Sequence, residues 1–265
     1  MINSLSFNNI QTLVFSGDIH GEFETIVYKL NNYTETILIV CGDIGMGFHK
    51  DEYYLTLFKK LNLKLSKTGN HLVMFRGNHD NPDYFNGSFT KYKHLHLIPD
   101  YTVVEVPGLA NVLCIGGAAS VDRSYRIHAE VRSKQKTYWG NAELPIFDEE
   151  KLDEINSRYA NNLQIVATHT CPSFVYPTTK DGVFDWLRRD EGLSQTLDDE
   201  RHTIDRIFGK LQERQINITD WYYGHFHEHK LERYYGINFR LCDCGEMNEV
   251  RKTDITEAKK IHDGQ

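Results

Sequence analysis

Three short apolar runs near the start of the chain, at 12–15, 37–40 and 71–75, alternate with two stretches of helical period at 22–30 and 51–65. In the first of these stretches Phe23, Ile26, Val27 and Leu30 fall on one helical face. Strand, helix, strand, helix, strand demands crossover connections. The strands are therefore parallel, and the crossovers are right-handed. In such a sheet the carboxyl ends of the strands share one edge, where loops diverge and ligands bind.

The pattern changes after residue 100. Runs at 101–106 and 112–115 flank Pro107-Gly108, which predicts an antiparallel hairpin. A helix at 152–159 and a strand at 164–167 come next. A longer helix at 203–215 then carries Ile204, Ile207, Phe208 and Leu211 on one face. A strand at 221–223 and two more β runs near Leu231 and Phe239 complete the pattern. The expected fold class is mixed α/β, with two packed sheets flanked by helices. Residues 1–250 read as one domain, and 251–265 as a charged tail.

Each apolar run ends in residues that carry chemistry. Gly17-Asp18-Ile19-His20-Gly21 closes the first and Cys41-Gly42-Asp43 the second. Arg76-Gly77-Asn78-His79-Asp80 closes the third. His169 comes after the run at 164–167, and Gly224-His225-Phe226-His227 after the run at 221–223. Asp18, His20, Asp43, Asn78, His169, His225 and His227 supply seven N and O donors at strand ends. Seven exceed the four of a structural zinc site. They suit two divalent ions that share a ligand, with Asp43 as the natural bridge because one carboxylate offers two oxygens. A donor set without thiolates favours Mn, with Fe or Zn as alternatives. Two ions ~3.5–4 Å apart form a clamp for in-line displacement at phosphorus, with an ion-bound water or hydroxide as the attacking group. His79 adjoins Asn78, and neighbouring side chains diverge in extended backbone. It is therefore expected to face the substrate and act as the general acid.

At these residues the chain resembles the calcineurin-like metallophosphoesterase superfamily, whose five blocks span Asp18 to His227. The resemblance implies a four-layer αββα sandwich carrying a two-metal phosphoesterase site. It implies that Asp18, His20, Asp43 and His227 hold one ion. Asp43, Asn78, His169 and His225 would hold the other, with His79 as general acid. Met46 and Gly47 stand where the protein serine/threonine phosphatase branch has Asp and Arg, so that branch is not the expected one. The segment from Gly116 to Arg126 is similar to a GGAxSxDxxxR stretch of small bacterial and phage-type members. There Arg123 and Arg126 are candidate substrate-binding residues that could fork onto phosphate oxygens. Asp80 and Asp122 are candidates for orienting His79. Tyr138-Trp139 reads as core or rim, with base stacking as the alternative.

Charge and cysteine content restrict the partners. A formal charge of −7 gives no general footprint for duplex nucleic acid or an anionic membrane. Five cysteines read as free thiols of a reducing, cytoplasmic setting. No apolar run approaches the ~20 residues of a membrane helix. The expected substrate is a phosphorylated small molecule, nucleotide or protein, as a monoester or a diester. A cyclic or dinucleotide phosphodiesterase, or a nuclease, is the alternative, and a non-catalytic scaffold is the rival class. The polar and aromatic segment from Cys171 to Glu200 is positioned in sequence to cap the site.

Overall fold

The computed structural model describes residues 1–89, 92–177 and 183–251. In chain order the strands are β1 (Asn3–Ser6), β2 (Thr12–Ser16), β3 (Thr36–Val40), β4 (His71–Met74), β5 (Leu95–Leu97) and β6 (Thr102–Val106). They continue with β7 (Ala110–Ile115), β8 (Leu163–Thr168), β9 (Asp220–Tyr223), β10 (Lys230–Tyr234), β11 (Ile237–Leu241) and β12 (Asn248–Arg251). The helices are α1 (Phe23–Leu30), α2 (Asp51–Thr68), α3 (Arg123–Ser133), α4 (Glu149–Tyr159), α5 (Val183–Arg189) and α6 (Leu193–Glu213).

Period-two alternation builds the layers. Leu13 and Phe15 of β2, with Ile37 and Ile39 of β3, face Val112 and Cys114 of β7 and Ile165 and Ala167 of β8 in one buried cluster. Their sequence neighbours point the other way. Val14, Leu38 and Val40 pack with Ile26, Phe58 and Leu61 of α1 and α2. Leu113, Ile115 and Val166 pack with Leu152, Ile155, Ile204 and Ile207 of α4 and α6. Strands apolar on both faces must be covered on both, and the outcome is helix, sheet, sheet, helix. One sheet runs β1-β6-β7-β8-β9-β11-β10 and the other β12-β2-β3-β4-β5. From β2 to β5 all pairs are parallel, as are β7-β8, β8-β9 and β9-β11, while β6-β7 is the expected antiparallel hairpin. The rings of Phe15 and Tyr222 stack across the sheet-sheet interface at 3.9 Å between centroids.

Elements without an apolar rhythm escape the sequence pattern. β1 and β12 are polar edge strands whose place comes from pairing with β6 and β2. α6 begins at Leu193, ahead of the expected 203. Glu200 interrupts its apolar stripe but is buried and hydrogen-bonded. α3 buries Arg126 and has no apolar stripe at all. The tail expected at 251–265 lies, apart from Arg251, outside the described residues.

A histidine cluster at the start of β4 and on β5 predicts acid sensitivity. His71 stacks on His94 at 4.5 Å, and the edge of Phe7 meets both His71 and His96. Burial pushes the His71 and His96 imidazoles down from 6.5 to about 4. The unfolded chain therefore binds more protons between pH 6.5 and 4. Stability is complete above 6.5 and falls toward 4, by on the order of 1–3 kcal/mol per imidazole after screening. Thermal midpoints at pH 7 and pH 5 should differ less in a His71→Phe/His96→Leu variant than in the parent. Equal differences would contradict this reading.

Candidate metal centre

Strand ends bring the sequence-predicted donors together. The turn after β2 rests on the turn after β3, where the N–H groups of Ile19 and His20 donate to the Asp43 carbonyl at 3.1 and 2.9 Å. Four of the donors, His20, Asp43, His225 and His227, have φ of +42°, +47°, +70° and +52°. Left-handed backbone at non-glycine residues costs on the order of 1–3 kcal/mol each, and strain of this kind clusters at functional sites.

Several glycines beside the donors leave no room for a side chain. A Cβ on Gly77 would stand 2.1 Å from Asp43 Oδ1 and 2.2 Å from its backbone nitrogen. A Cβ on Gly224 would stand 2.5 Å from Asp18 Oδ1. Close backbone approach is how these loops converge.

The donor atoms form overlapping groups. Asp18, His20 and Asp43 place ligand atoms within 4.8 Å of one another, as do Asp43, His169 and His225. Asp43 belongs to both groups. His227 joins the first side: its Nε2 lies 2.8 Å from Asp18 Oδ2 and 3.1 Å from His20 Nε2. Asp18 Oδ1 accepts the His225 backbone N–H at 2.9 Å. On the second side Asn78 Oδ1 lies 2.9 Å from His169 Nε2, and Asp43 Oδ1 lies 3.3 Å from it.

Surrounding hydrogen bonds orient these donors. His169 Nδ1–H donates to the Cys41 carbonyl at 2.7 Å, which turns Nε2 toward Asp43. Burial pulls the His169 imidazole down, but the Asp43 carboxylate overrides it and raises it to about 9. Burial pushes the Asp43 carboxyl up, while His169 and His79 hold it well below the usual carboxylate range. A carboxylate this buried and this acidic, facing imidazole nitrogens, is a donor set that a divalent cation fits.

Asn78 is fixed by a relay. Its Nδ2 donates to Ser120 Oγ at 3.0 Å, which also accepts from Arg126 Nη1 and donates to Glu143 Oε2, both at 2.5 Å. Burial pushes the Glu143 carboxyl up to about 7, even with Arg126 beside it. Glu200 bonds the Ala119 N–H and the Thr170 hydroxyl, bracing the loops on either side of His169. Sequence reasoning missed Glu143 and Glu200. Glu143 lies outside every motif, and the only trace of Glu200 is a charge on the apolar stripe of α6.

His79 stands apart from the donor pairs. Its backbone N–H donates to Asp43 Oδ1 at 2.8 Å, and its Nε2 lies 3.9 Å from Asp43 Oδ2. Its ring lines an open cavity of about 410 Å³. Asp80 does not reach that ring, because its carboxylate accepts N–H groups of Ile44, Gly45, Met46 and Gly77 at 2.8–3.0 Å. Asp122 lines the same cavity as His79.

The two candidate substrate-binding arginines have protein partners. Arg123 forms a bidentate pair with Asp190 at 2.7 Å and bonds Thr196, away from the donors. Arg126 touches the cavity, but its guanidinium is engaged by Ser120, Thr137 and Glu143. Arg76 is structural. All its N–H groups are engaged by Asp100 and the carbonyls of Ala142, Glu143 and Leu144. Cys244, one of the five cysteines read as free thiols, places its sulfur in a 4.8 Å group with His20 and His227. The described residues between Cys171 and Glu200 do not line the cavity at His79. Phe174 packs instead against Phe208 and Phe239, and 178–182 lie outside the described residues.

A family model described as calcineurin-like phosphoesterase matches residues 12–229. None of the curated proteins compared matches the chain. Among solved structures, a dimetal phosphatase from Danio rerio is 11% identical, with 89% of this chain and 88% of that chain covered at a TM-score of 0.51. Phosphopantetheinyl hydrolase from Mycobacterium tuberculosis is 14% identical, with 90% and 95% covered at a TM-score of 0.40. At 11% identity the likeness to the dimetal phosphatase is one of fold.

Proposed function

The chain belongs to the calcineurin-like phosphoesterase family, whose model spans most of its length, and on that premise we propose that it is a binuclear metal-dependent hydrolase of phosphate esters. The observation that carries this reading is Asp43, shared by the two donor groups at the strand ends. Asp18, His20, Asp43 and His227 would hold one ion, and Asp43, Asn78, His169 and His225 the other. Bound there, two divalent ions supply Lewis-acid polarisation of the phosphate and an activated water. The N/O donors admit Mn, Fe or Zn, and the Cys244 thiol beside His20 and His227 is a soft donor that suits Zn or Fe better than Mn.

The protein's own residues do the rest. The Asn78–Ser120–Glu143 relay holds the amide oxygen toward His169. His79, partly exposed at the mouth of the cavity, donates a proton to the leaving oxygen. Residues 1–250 act as one catalytic domain. Among the described residues no helix is long and apolar enough to cross a membrane. The free cysteines suit a reducing compartment, and we place the protein in the cytoplasm.

The test is initial rates on an aryl phosphate monoester and its matching diester, with Mn, Fe or Zn supplied in turn. Turnover of either, lowered ~10²–10⁴-fold in His79→Ala with metal content unchanged, is the expected result. A variant of full activity contradicts the role given to His79. Two bound ions with no turnover of any ester would favour the scaffold.

A further inference from the structure

The cavity on which His79 opens has a makeup that the phosphate chemistry does not explain. Its volume, about 410 Å³, falls within the ~300–1,000 Å³ of small-molecule sites. Three aromatic side chains, Phe48, Tyr125 and Trp139, line it together with Asp122, Gln135 and Lys136. Phe48 is 38% exposed and Tyr125 63%, so neither is there to fill the core. Large rings left in water around a concavity mark a surface that covers something apolar and flat.

The wall is preformed. Gly47, at φ +104°, sits under the Trp139 ring, and a Cβ there would meet Trp139 Cζ2 at 3.3 Å and Asn81 Cβ at 2.9 Å. Gly47, which stands where the protein serine/threonine phosphatase branch has Arg, is here a glycine against an indole. The Trp139 backbone N–H donates to Glu143 Oε1 at 3.0 Å, and the Arg126 guanidinium lies 5.8 Å from the centroid of the Trp139 ring. Gln135 Nε2 donates to the Phe48 carbonyl at 3.1 Å and ties the far wall in place. The same Glu143 that anchors Trp139 also positions Asn78 through Ser120, so cavity and donor cluster share one support.

We infer that this cavity seats the organic group of the ester and selects a planar heteroaromatic ring of nucleoside size, making nucleotides the substrate class. The inference rests on the function proposed above only for the location of the phosphate. His79 bridges the two regions, with Nε2 3.9 Å from Asp43 Oδ2 and its ring in the cavity wall. An ester held at the Asp43 side therefore directs its leaving group past His79 into the cavity. Aromatic walls stack on any base face, and Asp122 and Lys136 offer an acceptor and a donor to ring edges or sugar hydroxyls. A phosphoserine or phosphothreonine side chain, short and aliphatic, would leave these walls uncovered.

The experiment has two arms on the full chain. In the first, calorimetry measures binding of adenosine and uridine, which carry no phosphate, with ribose as control. Saturable nucleoside binding is expected, weakened about tenfold or more in Trp139→Ala and in Tyr125→Ala. Tyr125 is mostly exposed, so its variant keeps the test independent of folding. In the second, kcat/KM for nucleoside monophosphates is compared with that for glycerol phosphate, and the ratio should fall about tenfold in either variant. Hydrolysis of esters without preference for the ring, or with preference for a phosphopeptide, and with no nucleoside bound, overturns the inference while the proposed function stands. Nucleoside binding indifferent to both substitutions also overturns it. Nucleoside binding without hydrolysis of any ester upholds the cavity and overturns the function.

Discussion

Replacing Asp43 by Asn is expected to remove phosphoesterase activity by on the order of 10³-fold or more and to cost the chain both ions rather than one. The carboxylate is buried at the join of the two donor groups. An amide keeps the shape but loses the charge and one of the two anionic oxygens that bridging needs. It also withdraws the charge that raises the His169 imidazole to about 9. By contrast, Asp18→Asn should disturb mainly the His20–His227 side, because Asp18 belongs to one donor group only. Metal analysis of the two variants side by side checks this. Equal losses from both sides in Asp18→Asn, or retention of two ions in Asp43→Asn, would contradict the shared-ligand arrangement.

Gly77→Ala should be strongly destabilising. The new methyl would lie 2.1 Å from Asp43 Oδ1 and 2.2 Å from Asp43 N, against backbone that cannot yield without moving β3. Overpacking of that kind costs ~3 kcal/mol or more and displaces the bridging carboxylate. Gly209→Ala is the control. It lies inside α6 with nothing within 4 Å of the added methyl, so it should stabilise the fold by up to ~1 kcal/mol. Denaturant midpoints separate the two cases, and a Gly77→Ala protein of parental stability would show that the turn after β4 is looser than its contacts with Asp43 require.

The clustering of the candidate donors was legible in sequence because strand ends announce themselves. An apolar run terminated by Asp, His or Asn places that residue at the sheet edge, and parallel connection gathers the edges. For this reason Asp18, Asp43, Asn78, His169 and His225 could be read from five separate segments. The four layers came from the same runs, apolar on both faces. What stayed hidden depends on tertiary partners. Arg123 looked like an anion ligand until α5 and α6 brought Asp190 and Thr196 to it. Glu143 lies in no motif, yet it is buried and bonded to Ser120 and to the Trp139 backbone N–H. β1 and β12 hold their places by backbone pairing, which side-chain patterns do not encode. The segment at 171–200 was positioned by chain order alone, and its Phe174 turned to the helical layer instead.

The proposed function turns on two ions sharing Asp43. The direct measurement is calorimetric titration of the metal-free chain with Mn²⁺, then electron paramagnetic resonance of the loaded protein. Two ions per chain with spectra of an exchange-coupled pair are expected, with loss of that coupling in Asp43→Asn. A single ion per chain, or two ions with uncoupled spectra, would contradict it.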